Sequence, residues 1–138
     1  MQPQPPKQIS EYANACLEAL VASGLGRTVS LGGAFGLMHY FEYRPTYDVD
    51  AWWHESVTTE EQQQVMQVLV TALERYGRVQ VRTWGDVTSI ELQTNIKKVF
   101  SFQIARRSVQ LEPAQPTVWP GVLLDSFSDL VASKWWHW

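Results

Sequence analysis

The chain has a single cysteine among its 138 residues, Cys16, so no disulfide can form within it. Cys16 lies inside a helical apolar pattern, which marks it as a core thiol rather than a nucleophile. Histidine is also scarce, with three residues and no Cys/His spacing that suits zinc. His39 and His54 have no plausible serine or cysteine nucleophile partner in sequence, and both read as satisfied structural histidines rather than bases. No apolar run approaches the ~20 residues of a membrane span, and the start MQPQPPK lacks the basic-then-apolar build of a signal peptide. The expectation is a cytoplasmic chain without a membrane segment. Two phosphate-binding fingerprints are missing as well: no Gly-Lys-Ser/Thr follows Gly32-Gly33, and Gly24-Leu-Gly26 does not continue into a GxGxxG. With 11 basic and 14 acidic residues the net charge is −3, which disfavours broad, nonspecific attraction to nucleic acid. An RNA contact would need a local basic patch, and Lys97, Lys98, Arg106 and Arg107, flanking one strand, are the candidates.

What the chain does have is a hydrophobic share of 45% against 18% charged, enough for one globular core. Residues 1–7, too rich in proline for a helix, form a flexible lead, and 8–138 form a single domain. Tryptophan is abundant at seven residues, three of them (Trp135, Trp136 and Trp138) in the last four positions. That end should pack against something, and a homodimer or another protein partner would satisfy it.

Apolar positions at three- and four-residue spacing predict a helix from Gln8 to about Ser23, stopped by Gly24 and Gly26. Arg27–Leu31 reads as a strand and Ala34–Tyr43 as a helix apolar on most sides, ended by Pro45. Asp48–His54 reads as a strand whose Val49, Ala51 and Trp53 cover the core while Asp48, Asp50 and Trp52 face the other way. Thr58 and Glu61 form a capping box for a helix that runs to Gly77. Three strands follow, Arg78–Trp84, Val87–Gln93 and Lys97–Ala105, joined by turns at Gly85-Asp86 and Thr94-Asn95. A proline-punctuated loop, 112–121, leads to a last helix from about Ser126. The order predicts an α+β fold with a mixed sheet and helices packed mainly on one face.

Two features of this order carry chemistry. Gly32-Gly33, closing a short apolar run at the head of a helix, can offer bare backbone N–H groups to an anion. A glycine pair can also be no more than a tight strand-to-helix turn. Asp48 and Asp50, two apart on a strand, share one patch, and like charges so placed are costly to bury without a cation between them. The spacing therefore asks for a divalent metal, and Mg2+, which takes a few carboxylates and fills its shell with water and phosphate, suits it. The bland alternative is a strand with two solvated acids.

Gly32-Gly33, an apolar helix, then Arg44, Thr46, Asp48 and Asp50 resemble the signature of the nucleotidyltransferase superfamily, and within it the AbiEii-type toxins of type IV toxin–antitoxin pairs. The resemblance implies a nucleotidyltransferase-like fold. It also implies transfer of a nucleotidyl group from an NTP to an acceptor such as a tRNA, with Mg2+ held by Asp48 and Asp50. The glycine pair would hold phosphates, with Ser30 adding a hydroxyl and Arg44 and Lys134 adding positive charge, and an antitoxin protein would be a partner. Thr46 would cap the turn or orient Asp48. The family often carries a third carboxylate on a neighbouring strand, where Ser101 and Gln103 stand here. Glu91 is the substitute the sequence offers, unless it is simply an exposed strand residue. The family's further helical region is largely absent after Lys134. A catalytically degenerate binding module of the same fold, or a plain α+β interaction protein, are the alternatives.

Overall fold

The computed structural model describes residues 10–32, 48–95, 97–106, 114–117, 119 and 121–125. Helix α1 spans Glu11–Ala22, and Ser10 caps it by accepting the Ala13 N–H at 3.0 Å. Its inward stripe, Ala13, Cys16, Leu17 and Leu20, is fully buried. The helix ends where the Ser23 hydroxyl donates to the Ala19 and Leu20 carbonyls and Gly24 turns to φ +73°. The start expected at Gln8 falls partly outside the described residues, and the cap fixes it at Ser10.

A 3-10 turn over Gly26–Thr28 occupies the first residues of the strand expected from Arg27, so β1 is Val29–Gly32. Strand β2 is Val49–Trp53, one residue shorter at each end than its sequence pattern. Helix α2 spans Thr59–Glu74 behind the expected capping box: Thr58 Oγ1 accepts from Glu61 N at 3.1 Å, and Glu61 Oε1 accepts from Thr58 N at 3.1 Å. Strands β3 (Arg78–Trp84), β4 (Val87–Thr94) and β5 (Lys97–Ala105) form the expected meander, turning at Gly85 (φ +56°) and Asn95 (φ +51°). Within the loop expected over 112–121 and just beyond it, two short strands appear, β6 (Gln115–Pro116) and β7 (Leu123–Leu124). The helices expected at 34–43 and after Ser126 lie outside the described residues, as do the lead 1–7 and the tryptophan-rich end.

The strands make one mixed sheet in the order β3-β4-β5-β2-β1-β7-β6. Pairing is antiparallel except for β2 with β5 and β1 with β7. Helices α1 and α2 pack on each other and against β3, β4 and β5, giving the α+β architecture with its described helices on one face. Val49 and Ala51, the carboxylate-free side of β2, join that core with Leu31, Ile90, Leu92, Phe100, Phe102 and Ile104. Tyr12 meets Tyr76 edge-on, with ring centroids 5.2 Å apart, and closes one end of the core. Each fully buried leucine of the helices, such as Leu17 or Leu73, contributes about 2 kcal/mol of transfer free energy. Among the described residues, no helix is long and apolar enough to cross a membrane.

Candidate active site on the carboxylate face of the sheet

Residues that sit opposite one another on neighbouring strands point to the same face, so the pairing register shows what the strand opposite the helices presents. Gly32 on β1 is paired with Asp50 on β2, Asp50 with Gln103 on β5, Gln103 with Ser89 on β4, and Ser89 with Arg82 on β3. A second row runs from Ser101 on β5 to Glu91 on β4 and Gln80 on β3. Asp48, one residue before β2, joins that second row through its side chain: Oδ1 accepts the Ser101 backbone N–H at 3.0 Å. The bond holds this carboxylate where a strand carbonyl would otherwise continue the parallel ladder.

Asp48 and Asp50 are both half-buried, and each is placed by a different device. Alternation along β2 fixes Asp50, because Val49 and Ala51 on either side are locked in the core. An amide of the next strand fixes Asp48. An N–H bond to one carboxylate oxygen leaves the other oxygen for a cation and orients it, as outer hydrogen bonds do for metal-binding carboxylates. Among the described residues no three His, Cys, Asp or Glu side chains are grouped to hold a metal. A two-carboxylate set still suits Mg2+, which binds through one or two carboxylates and takes the rest of its shell from water and phosphate oxygens.

The wall beside Gly32 is a part the sequence did not reveal. Asp125, fully buried, follows β7, and its N–H donates to the Leu31 carbonyl at 2.9 Å. Its Oδ1 accepts the hydroxyl of Ser30, itself 2% exposed. The indole of Trp52 lies over the α-carbon of Gly32: a β-carbon there would sit 2.7 Å from Trp52 Nε1 and 3.3 Å from Asp125 Oδ2. Glycine at 32 is thus demanded by packing, since any side chain would collide with the ring. The signal for Asp125 was present in Val122-Leu123-Leu124-Asp125, an apolar run ended by an acid, but a two-residue strand is too short to show a period.

Glu91 is 5% exposed, so it is a buried acid and not the exposed strand residue that was the simpler expectation. Its partners are Ser89, whose hydroxyl donates at 3.3 Å, and Arg82 Nη1 at 3.9 Å, a distant and largely exposed guanidinium. Between Glu91 and Asp48 stands Ser101, 1% exposed, whose Oγ has no hydrogen-bond partner among the described residues. A buried hydroxyl without a partner costs about 1–3 kcal/mol, and such groups gather where a ligand completes them.

The remaining expectations fall elsewhere. Gly33, Arg44, Thr46, His39, Arg107 and Lys134 lie outside the described residues. The backbone N–H of Ser56 donates to His54 Nδ1 at 3.3 Å, so the ring serves a local turn, as a structural histidine does. Lys97 and Lys98 are exposed at one end of β5 and Arg106 just past the other. Eight residues of strand separate Lys97 from Ala105, or about 26 Å, so these cations do not form one patch.

No protein-family model matches the chain, and no curated protein matches it. Among solved structures it resembles a crystal structure from H. pylori described as a "putative nucleotidyltransferase", with a TM-score of 0.61 and 15% sequence identity. The likeness covers 90% of this chain and 55% of that one, so the chain spans about half the length of its neighbour. At this identity the likeness shows the fold, which is nucleotidyltransferase-like.

Proposed function

We propose that the chain is a Mg2+-dependent nucleotidyltransferase resembling the AbiEii-type toxins, one that moves a nucleotidyl group from an NTP to an acceptor such as a tRNA end. The observation that carries this reading is the pairing of Gly32 with Asp50, which sets the glycine motif and the acidic motif side by side on one sheet. The nucleotidyltransferase-like fold supports it. Asp48 and Asp50 would hold the metal, which supplies positive charge to the triphosphate oxygens. Gly32 and Gly33 would present backbone N–H groups to the phosphates, and Arg44 and Lys134 would add charge. Ser30, its hydroxyl hydrogen committed to Asp125, would act by holding that wall rather than by touching phosphate.

In the transfer, an acceptor hydroxyl oxygen bonds to the α-phosphorus while the bond to the bridging oxygen breaks and pyrophosphate leaves. The acceptor proton must go to a base. Glu91, buried in the row that ends at Asp48, is the carboxylate we assign as that base. Such a toxin would work in the cytoplasm and be restrained by an antitoxin protein.

A second reading is favoured by β5, whose Ser101 and Gln103 stand beside the aspartates where the resembled enzymes place a third acid. On it, the chain is a degenerate nucleotidyltransferase-fold binding module. Calorimetry of Mg2+ with each NTP tests both: heats that vanish in Asp48→Ala/Asp50→Ala establish the site, and heats unchanged by that substitution sink it. Labelled NTP incubated with cellular RNA then separates the readings. Incorporation lost in Asp50→Ala supports the enzyme, and binding without incorporation supports the module.

A further inference from the structure

Strand β3 ends the sheet, and six of its seven residues are exposed, including Val81 at 48% and Trp84 at 47%. Among the described residues nothing pairs with its outer side, where a row of backbone N–H and C=O groups has no ladder partner. Edges of this length are usually blunted by proline, lysine, a bulge or a covering element. This one, Arg-Val-Gln-Val-Arg-Thr-Trp, carries the charges of Arg78 and Arg82 but no proline, lysine or bulge, and its pairing with β4 is regular throughout. Gln80 also accepts from Gln93 at 3.1 Å, while the Arg82 guanidinium, 3.9 Å from Glu91, is largely exposed.

We propose that β3 is a self-association edge, through which two copies of the chain pair antiparallel in a register centred on Val81. The strand's own sequence selects this partner and this register. Centring on Val81 sets Val81 against its copy, Gln80 against Arg82, Val79 against Thr83, and Arg78 against Trp84. Each opposed pair is then apolar, hydrogen-bonding or cation–π in character. Centring one residue earlier, on Gln80, would set Arg78 directly against Arg82, and like charges in that position repel. The two-fold axis is perpendicular to the sheet, so both copies carry their Asp48 and Asp50 on the same side of a continuous fourteen-stranded sheet. A single seven-residue strand buries less than the ~1,200 Å² of a standard interface, so the dimer forms at micromolar concentration and above. The inference is independent of the proposed enzymatic activity.

Sedimentation velocity of the full chain from about 5 to about 500 μM reads the association directly, across the range expected of a small interface. The expected result is a concentration-dependent shift from monomer to dimer. Val81→Lys should abolish it by facing two ammonium groups at the axis, while the melting temperature stays unchanged because the site is half exposed. A chain that stays monomeric throughout, or a Val81→Lys variant that still dimerises, overturns the proposal. Cysteine cross-linking tests the register, since Cys16 is buried and takes no part. Opposed strand residues have α-carbons about 4.5–5.5 Å apart, within disulfide reach, whereas Gln80 and its copy would be about 8 Å apart. Val81→Cys should cross-link quickly under mild oxidation and Gln80→Cys should not; the reverse order refutes this pairing.

Discussion

Replacing Gly32 by alanine tests the packing that surrounds the glycine motif. The added β-carbon would lie 2.7 Å from Trp52 Nε1 and 3.0 Å from Trp52 Cδ1. An ordinary carbon contact is about 3.5 Å, so the indole must retreat by about 0.8 Å. Its ring atoms are rigid, and Asp125 Oδ2, 3.3 Å from the added carbon, narrows the space further. Overpacking of this kind costs about 1–3 kcal/mol. Alanine returns about 0.5–1 kcal/mol by restricting the unfolded chain, because Gly32 lies in a strand that alanine can adopt. The net destabilisation should be about 0–2.5 kcal/mol, a fall in Tm of up to about 10 °C for a chain of this size. Urea denaturation with unchanged slope measures it. The decisive comparison repeats Gly32→Ala in a Trp52→Ala background, where the collision is gone and the cost should shrink by at least ~0.5 kcal/mol. An equal cost in both backgrounds, or a more stable Gly32→Ala, would refute the steric account.

Other outcomes follow from the same structure. Thr58→Ala should lower stability by about 1 kcal/mol, because it removes the acceptor for Glu61 N at the head of α2; urea midpoints check this. Glu61 is held below its ordinary carboxylate value, first by the Thr58 backbone N–H and then by the Arg27 guanidinium 2.7 Å away. Its contribution is therefore complete above the unfolded pKa of ~4.3 and is lost as pH falls through the lowered folded value. The stability difference between the native chain and Glu61→Gln should narrow in acid, and a gap constant from neutral pH to about pH 3 would contradict this. Burial pushes the Cys16 thiol up to about 12, against a smaller opposing effect of the Arg75 charge. A disulfide reagent at neutral pH should leave it unmodified until denaturant is added. Ser101→Ala removes a buried hydroxyl that has no partner among the described residues and should raise stability by about 1 kcal/mol, whereas a loss would show that the hydroxyl has a partner.

The meander was legible in the sequence because its strands alternate over seven to nine residues and its turns use Gly85 and Asn95, the residues that reach positive φ. Both described helices were legible from their apolar period, and α2 also from Thr58 and Glu61. The core side of β2 was legible for the same reason: alternation leaves Val49 and Ala51 no other place. Three things were not. A 3-10 turn has no apolar period of its own, so Arg27 and Thr28 were absorbed into the strand. Strands β6 and β7 are two residues long and exist only through pairing with distant segments. The burial of Glu91 depends on what faces β4, and alternation in one strand carries no information about that. At the candidate site the aspartate pair was readable from spacing, whereas Asp125 and the collision that makes Gly32 a glycine were not, because Asp125 lies 95 residues from its partner Ser30.

That separation also has a temporal meaning. A ribosome makes Ser30 and Gly32 early, yet the carboxylate that braces Ser30 arrives 95 residues later. Until it does, β1 has a vacant flank and the glycine motif an unfinished side. Contacts closed over so long a span slow folding, and a chain terminated before Asp125 carries the acidic motif without this brace.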